Sequence, residues 1–234
     1  MIQDRRVALV MRVGSAVLTL MGLCSYIGIF EGEFRASMLM YYTIQSNILA
    51  LGLFIGLSLR TAFAIRNDGI KGSAGYAPRF ELVCTIDLLL TLVVFWVMLA
   101  PSMFTMGETS ILATYENYQV HLLTPLFCLI DWVLFAPSRS LRFRDLFLIY
   151  VYPYCYVIFT SLAGVLGYVY RYGADGSAMH YPYFFFDYDL VGWYALLYIA
   201  GLSVFFFVLG CLFYLFDRKV KKPRLFAGPT FCRR

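Results

Sequence analysis

Long apolar runs interrupted by short polar clusters divide this chain from end to end. Six runs carry about 20 apolar residues each: 7–30, 37–59, 80–102, 118–135, 146–170 and 190–216. An α-helix of that length crosses a hydrocarbon layer of about 30 Å. The pattern therefore predicts an all-α polytopic membrane protein, with six transmembrane helices in a single integral membrane domain spanning residues 1–234. The first run follows Arg5 and Arg6, as a signal peptide would. It is much longer than a usual signal core, and Glu31-Gly-Glu33 replaces a small-residue cleavage site, so it reads as a retained helix.

Composition sharpens the class. Of 234 residues, 61% are apolar and 14% charged, against about 25% charged in a soluble domain. The basic residues are unevenly placed. Arg5, Arg6 and Arg12 precede or open the first run, and Arg60, Arg66, Lys71 and Arg79 flank the second loop. Arg139, Arg142 and Arg144 fill the fourth loop, and the tail holds Arg218, Lys219, Lys221, Lys222, Arg224, Arg233 and Arg234. Only Arg35 and Arg171 of the 19 lie on the other side. The positive-inside rule then predicts both termini in the cytoplasm, which requires an even number of spans. The net charge of +5 is thus a topology signal that says little about nucleic acid, which is not an expected partner; the basic tail suits anionic lipid headgroups. The bilayer and a lipid or acyl-chain substrate are the expected partners, and the sequence leaves the oligomeric state open.

Six scattered cysteines (Cys24, Cys84, Cys128, Cys155, Cys211, Cys232) show no C-x-x-C or Cys/His ligand spacing; packing explains them, and neither a metal nor a cofactor is expected. The stretch "NDGIKGSAGYAP" (67–78) reads as a flexible Gly-rich connector. The fifth loop, "GADGSAMHYPYFFFDYD" (173–189), is dense in aromatic residues. It is either an interfacial aromatic belt or the mouth of a lipid-binding site, with His180, Tyr181 and Tyr183 at its rim.

Polar groups inside the runs carry the candidate chemistry. In "YYTIQSN" (41–47), Thr43, Ser46 and Asn47 share one helix face at i, i+3, i+4 spacing, and Gln45 points elsewhere. With the second run starting near Ser37, Thr43 lies about 9 Å from its outer end, and His121 lies about 5 Å into the fourth. The two therefore share one layer. Hydroxyl and amide side chains in membranes often serve only to join helices. A histidine within a span is a stronger functional signal, and His121 is the chain's one such histidine. Pro125 lacks the N–H that would bond the His121 carbonyl, which predicts a kink there. A threonine hydroxyl needs a base to become a nucleophile, and a neutral imidazole can be that base. Ser46 or Asn47 could supply oxyanion or supporting hydrogen bonds, Ser46 is a rival nucleophile, and Glu116 and Asn117 are the nearest candidates to orient the imidazole. Asp87 and Asp131 form a second polar site, expected in the cytoplasmic half away from Thr43. Buried carboxylates must pair or stay protonated, so they are expected to pair with each other through a shared proton or with basic residues such as Arg142 or Arg144; a proton relay is the functional alternative.

The six-helix plan, "YYTIQSN", "HLLTPLFCLIDWVLF" (121–135), "YVYPYCY" (150–156) and "HYPYFFFD" (180–187) together resemble a bacterial family of six-span membrane proteins. That family is related to the eukaryotic androgen-induced protein and androgen-dependent TFPI-regulating protein. The resemblance implies hydrolysis of fatty acid esters of hydroxy fatty acids by a membrane threonine and histidine, here Thr43 and His121, with Asp131 at the acidic position after the proline. It also implies a multi-pass protein of a bacterial plasma membrane. The expectation is an intramembrane hydrolase cleaving an acyl ester of a lipid. A lipid or small-molecule transporter or binding protein coupled through Asp87 and Asp131 is the rival from another class, and a non-catalytic relative the third reading.

Overall fold

In a computed structural model, residues 2–106, 109–173 and 176–220 are described. The basic residues Lys221, Lys222, Arg224, Arg233 and Arg234, and Cys232, lie outside them. Six helices among the described residues are long and apolar enough to cross a membrane: α1 (Arg5–Tyr26), α2 (Tyr42–Asp68), α3 (Pro78–Leu99), α4 (Tyr115–Phe135), α5 (Phe143–Val165) and α6 (Tyr194–Lys219). The chain is thus a six-helix integral membrane protein. Among the described residues the β-structure amounts to a hairpin of β1 (Arg171–Tyr172) and β2 (Ala178–Met179) and one isolated bridge between Asp4 and Lys71.

Helix boundaries depart from the hydropathy pattern most in α2. The α-helix begins at Tyr42 rather than 37, because Ala36–Met40 forms a separate 3-10 turn. It then continues past 59 to Asp68, where Gly69, at φ 83°, ends it. That extension is amphipathic: Thr61 and Ala64 are buried, while Arg60 and Arg66 are exposed, so hydropathy alone truncates it. At the start of α1, Asp4 caps the helix by accepting from the Arg6 N–H at 2.9 Å. Hydrogen bonding from Arg6 pulls the Asp4 carboxyl down to about 2.

Apolar side chains fill the interior, as in a soluble protein, but also cover the exterior, and polar groups are buried among them. Val10, Leu166 and Trp193 are among the large apolar side chains that face outward, as lipid contact permits. Buried inside are Arg12, Thr19, Asn47, Gln119, His121, Thr124 and Asp131. Lipid offers backbone and polar groups no partners, so these must satisfy one another.

Both described ends of the chain sit at one end of the bundle. Ile2 N–H donates to Leu134 O, Gly72 N–H to Gln3 O, and Arg139 N–H to Asp217 O, which joins the amino-terminal segment, the second and fourth loops and the end of α6. The second loop is therefore tied down rather than a free connector. Arg12 Nη1 donates to Ala74 O at 2.7 Å, and Arg5 Nη1 to Gly69 O at 2.7 Å.

The second polar site follows expectation in kind and departs from it in partner. Asp131 pairs with a basic residue, but with neither Arg142 nor Arg144, nor with Asp87. It accepts a two-pronged ion pair from Arg12, Nε to Oδ1 at 2.7 Å and Nη2 to Oδ2 at 2.9 Å. Arg12 Nη1 also reaches Thr61 Oγ1 at 2.8 Å, so this one guanidinium joins α1, α2, α4 and the second loop. Asp87 lies beside the Thr43 end of α2, not away from it, because the Tyr42 phenol donates to Asp87 Oδ1 at 3.1 Å.

Candidate active site

Four elements converge where α2 begins. Thr43 is the second residue of α2, and His121 lies in a π-helical turn, Gln119–Leu123, inside α4. The irregularity expected at Pro125 takes this form. In a regular α-helix the Val120 carbonyl would accept from the Thr124 N–H; here that N–H goes to Gln119 O. The freed Val120 carbonyl accepts instead from Asn47 Nδ2 at 3.0 Å. Wide turns of this kind often mark functional sites. A second π-helical turn, Val94–Leu99 in α3, carries Phe95. The Phe95 ring stacks on the imidazole with centroids 3.7 Å apart and planes 19° apart, and Tyr26 of α1 meets it edge-on.

The imidazole is held at both nitrogens. Nδ1 is 3.1 Å from the Asn117 carbonyl and Nε2 is 3.3 Å from Thr43 Oγ1. A carbonyl can only accept, so Nδ1 carries the proton and Nε2 turns its lone pair to the hydroxyl. The orienting group is thus main-chain: of the two neighbours the sequence offered, Asn117 supplies it through its backbone. Both Thr43 and His121 are buried, at 8% and 3% exposure.

Ser46 and Asn47 face the same layer, but their protons are spent on the scaffold. Ser46 Oγ donates to Thr43 O at 3.0 Å and lies 3.3 Å from Thr91 Oγ1. Asn47 Nδ2 divides its two hydrogens between Thr43 O and Val120 O. Both residues therefore hold the first turn of α2 against α3 and α4. Gln45 points away, with Nε2 on Leu39 O.

The fifth loop folds inward over this layer. His180 Nδ1 meets Tyr168 O at 3.0 Å. The Tyr181 ring lies against Gly164, where an added Cβ would come within 2.4 Å of Tyr181 Cε1. Tyr183 goes deeper, and its phenol oxygen lies beside the hydroxyl and the backbone N–H of Thr43. Burial pushes its phenol up from the ordinary tyrosine value, and the hydrogen bonds to Thr43 oppose this. The phenol thus stays protonated beside the threonine. The sequence put Tyr183 at the rim of a candidate mouth, but no pattern there sets it against Thr43.

From Thr43 a narrow, partly open cavity runs among α3, α5 and α6. Leu90, Val94, Leu99, Val157 and Phe206 give it apolar walls, and Thr43, Tyr42 and Tyr183 stand at one end. Apolar walls with few polar points suit apolar ligands. Among the described residues no three His, Cys, Asp or Glu side chains cluster as metal ligands. No protein-family model, curated protein or solved structure matches the chain.

Proposed function

We propose that the protein is an intramembrane hydrolase that cleaves an acyl ester of a lipid, with Thr43 as nucleophile and His121 as general base. One observation carries the reading: a threonine hydroxyl faces the lone pair of an imidazole whose other nitrogen is fixed on a carbonyl, at the end of an apolar cavity. A separation of 3.3 Å is on the long side for proton transfer, and such contacts shorten when substrate binds.

The chemistry balances without a cofactor. Thr43 Oγ1 attacks the ester carbonyl carbon while its proton passes to His121 Nε2. The carbonyl oxygen gains the negative charge and accepts from the Tyr183 O–H, which turns to it from Thr43. The imidazolium then protonates the departing alkoxide as the C–O bond breaks, leaving an acyl-threonine. Water, deprotonated by the same Nε2, hydrolyses that ester, and Thr43 regains its proton. The resemblance to the threonine hydrolases of fatty acid esters, the cytoplasmic placement of both termini and the bacterial plasma membrane belong to this same reading. Asp131 is committed to Arg12, which leaves a relay through Asp87 and Asp131 without one of its members.

Labelling with a fluorophosphonate tests the assignment. We expect a covalent adduct on Thr43, absent in Thr43→Ala and His121→Ala and retained in Ser46→Ala. An adduct that survives Thr43→Ala and vanishes in Ser46→Ala moves the nucleophile by one turn. No adduct on either residue in folded protein rejects the hydrolase.

A further inference from the structure

Helices α5 and α6 meet at the end of the bundle that holds the termini and diverge above it. There α6 packs on the 3-10 segment Phe143–Tyr150, with Phe143 edge-on to Phe207 and Tyr214 and Tyr150 against Phe206. Gly210 permits the approach, since an added Cβ would come within 3.0 Å of Ile149 Cδ1. At its other end α6 packs instead on the turn Phe184–Phe186, through Tyr198. Between these two contacts lies a slot.

The cavity from Thr43 reaches that slot. Tyr150, Pro153 and Tyr154 of α5 and Ile199, Leu202 and Ser203 of α6 line its far end, and Tyr154 is exposed on the outer face. A hollow on the lipid side shares Tyr150, Tyr154 and Ser203 and continues outward past Phe147 and Phe207. Two hydrogen bonds cross the slot: Tyr150 Oη donates to Ser203 O, and Tyr154 Oη meets Ser203 Oγ, both at 2.8 Å. Such bonds between membrane helices are individually weak, so this pair can part without unfolding the bundle.

Depth says what passes through. By the rise of the 3-10 segment and of the α-helix after it, Tyr150 and Tyr154 lie about 14 and 20 Å along α5 from Phe143, and Ser203 about 14 Å along α6 from Tyr194. The slot is therefore near the middle of the hydrocarbon, whereas Thr43 is at the start of α2, in the leaflet opposite the termini. A lipid of that leaflet holds its esters near the interface and its chain ends near the midplane. The cavity has the same polarity and the same direction.

We infer that Tyr150, Tyr154 and Ser203 form a lateral portal that admits the long acyl chain of a lipid from the leaflet opposite the termini, the chain end lying in the slot. The delivery of the ester to Thr43 rests on the hydrolase reading; the passage of the chain does not. Ser203→Trp fills the slot, and Leu196→Trp, on an exposed face of α6, is its control. In full-length protein in nanodiscs, Ser203→Trp lowers kcat/KM for 4-nitrophenyl hexadecanoate by about tenfold or more and leaves the butyrate ester nearly unchanged. Loss of both esters alike in a folded variant, or of neither, overturns the portal. Tyr154→Phe removes one bar of the latch and raises kcat/KM for hexadecanoate alone; an equal rise for butyrate counts against it.

A second readout is independent of catalysis. Hexadecanoate bearing a terminal diazirine crosslinks to Tyr154, Val157 or Ser203 in the wild type, and these adducts disappear in Ser203→Trp but not in Leu196→Trp. Adducts of this kind in a protein that hydrolyses no ester retain the portal and reject the hydrolase. Adducts confined to Tyr181 and its loop neighbours place the access route there and overturn the portal.

Discussion

An imidazole can take a proton only at a nitrogen that does not already hold one, and at His121 the Asn117 carbonyl decides which nitrogen that is. The pairing with Thr43 was legible in the chain, because a lone histidine and a threonine fall at similar heights in two apolar runs. The third partner was not. Tyr183 sits among six aromatic residues in 181–188; the sequence set it at a candidate mouth, and only the inward fold of that loop brings it to Thr43. On the hydrolase reading its phenol donates to the oxyanion. Tyr183→Phe should then lower kcat by about 10²–10³ with little change in KM, measured with a soluble short-chain ester. A fall in KM-controlled rates alone would make Tyr183 a wall of the cavity instead. Ser46 and Asn47 were visible as a polar face, yet sequence spacing could not tell that both would bond the Thr43 carbonyl. A side chain's helix face is set locally; its partner is set by the fold.

The helices bring these residues together through close approaches that a larger side chain would forbid. Gly22 of α1 touches α4 at Gln119, where an added Cβ would lie 2.1 Å from Gln119 Cγ. Gln119 opens the π-helical turn that holds His121. Gly22→Ala should push α1 from α4 or shift that turn, slowing fluorophosphonate labelling of Thr43 by about a hundredfold, since a misplacement of about 1 Å costs that much. Labelling at the wild-type rate in Gly22→Ala would show that the turn is set by α2 and α3 alone. Pro125 announced an irregular helix from sequence, because a missing N–H is a local fact. That the break would be a π-helical turn stitched by Asn47 depended on α2, which lies 73 residues away in the chain.

Across the whole molecule, the six helices were legible because hydrocarbon demands length and apolarity in every span. The ion pair that joins four of its elements was not, for Arg12 and Asp131 are 119 residues apart. Arg12 looked like one of the topology-setting basic residues, although it is fully buried. Asp131→Asn should destabilise the bundle by about 3–5 kcal/mol, because a buried guanidinium would lose its counter-charge, whereas Arg12→Met combined with Asp131→Leu should recover most of that. Thermal unfolding in detergent checks both, and a loss in the double variant as large as in the single one would reject the account. Unlike that pair, the imidazole beside Thr43 has no built-in counter-ion: among the described residues, no carboxylate hydrogen-bonds to it. Once it has accepted a proton, the nearest opposite charge on the reaction path is the one forming on the substrate. Ester and base would then ionise together or not at all, which favours a catalyst that stays idle toward water in an empty chamber and wakes only when a lipid is in place.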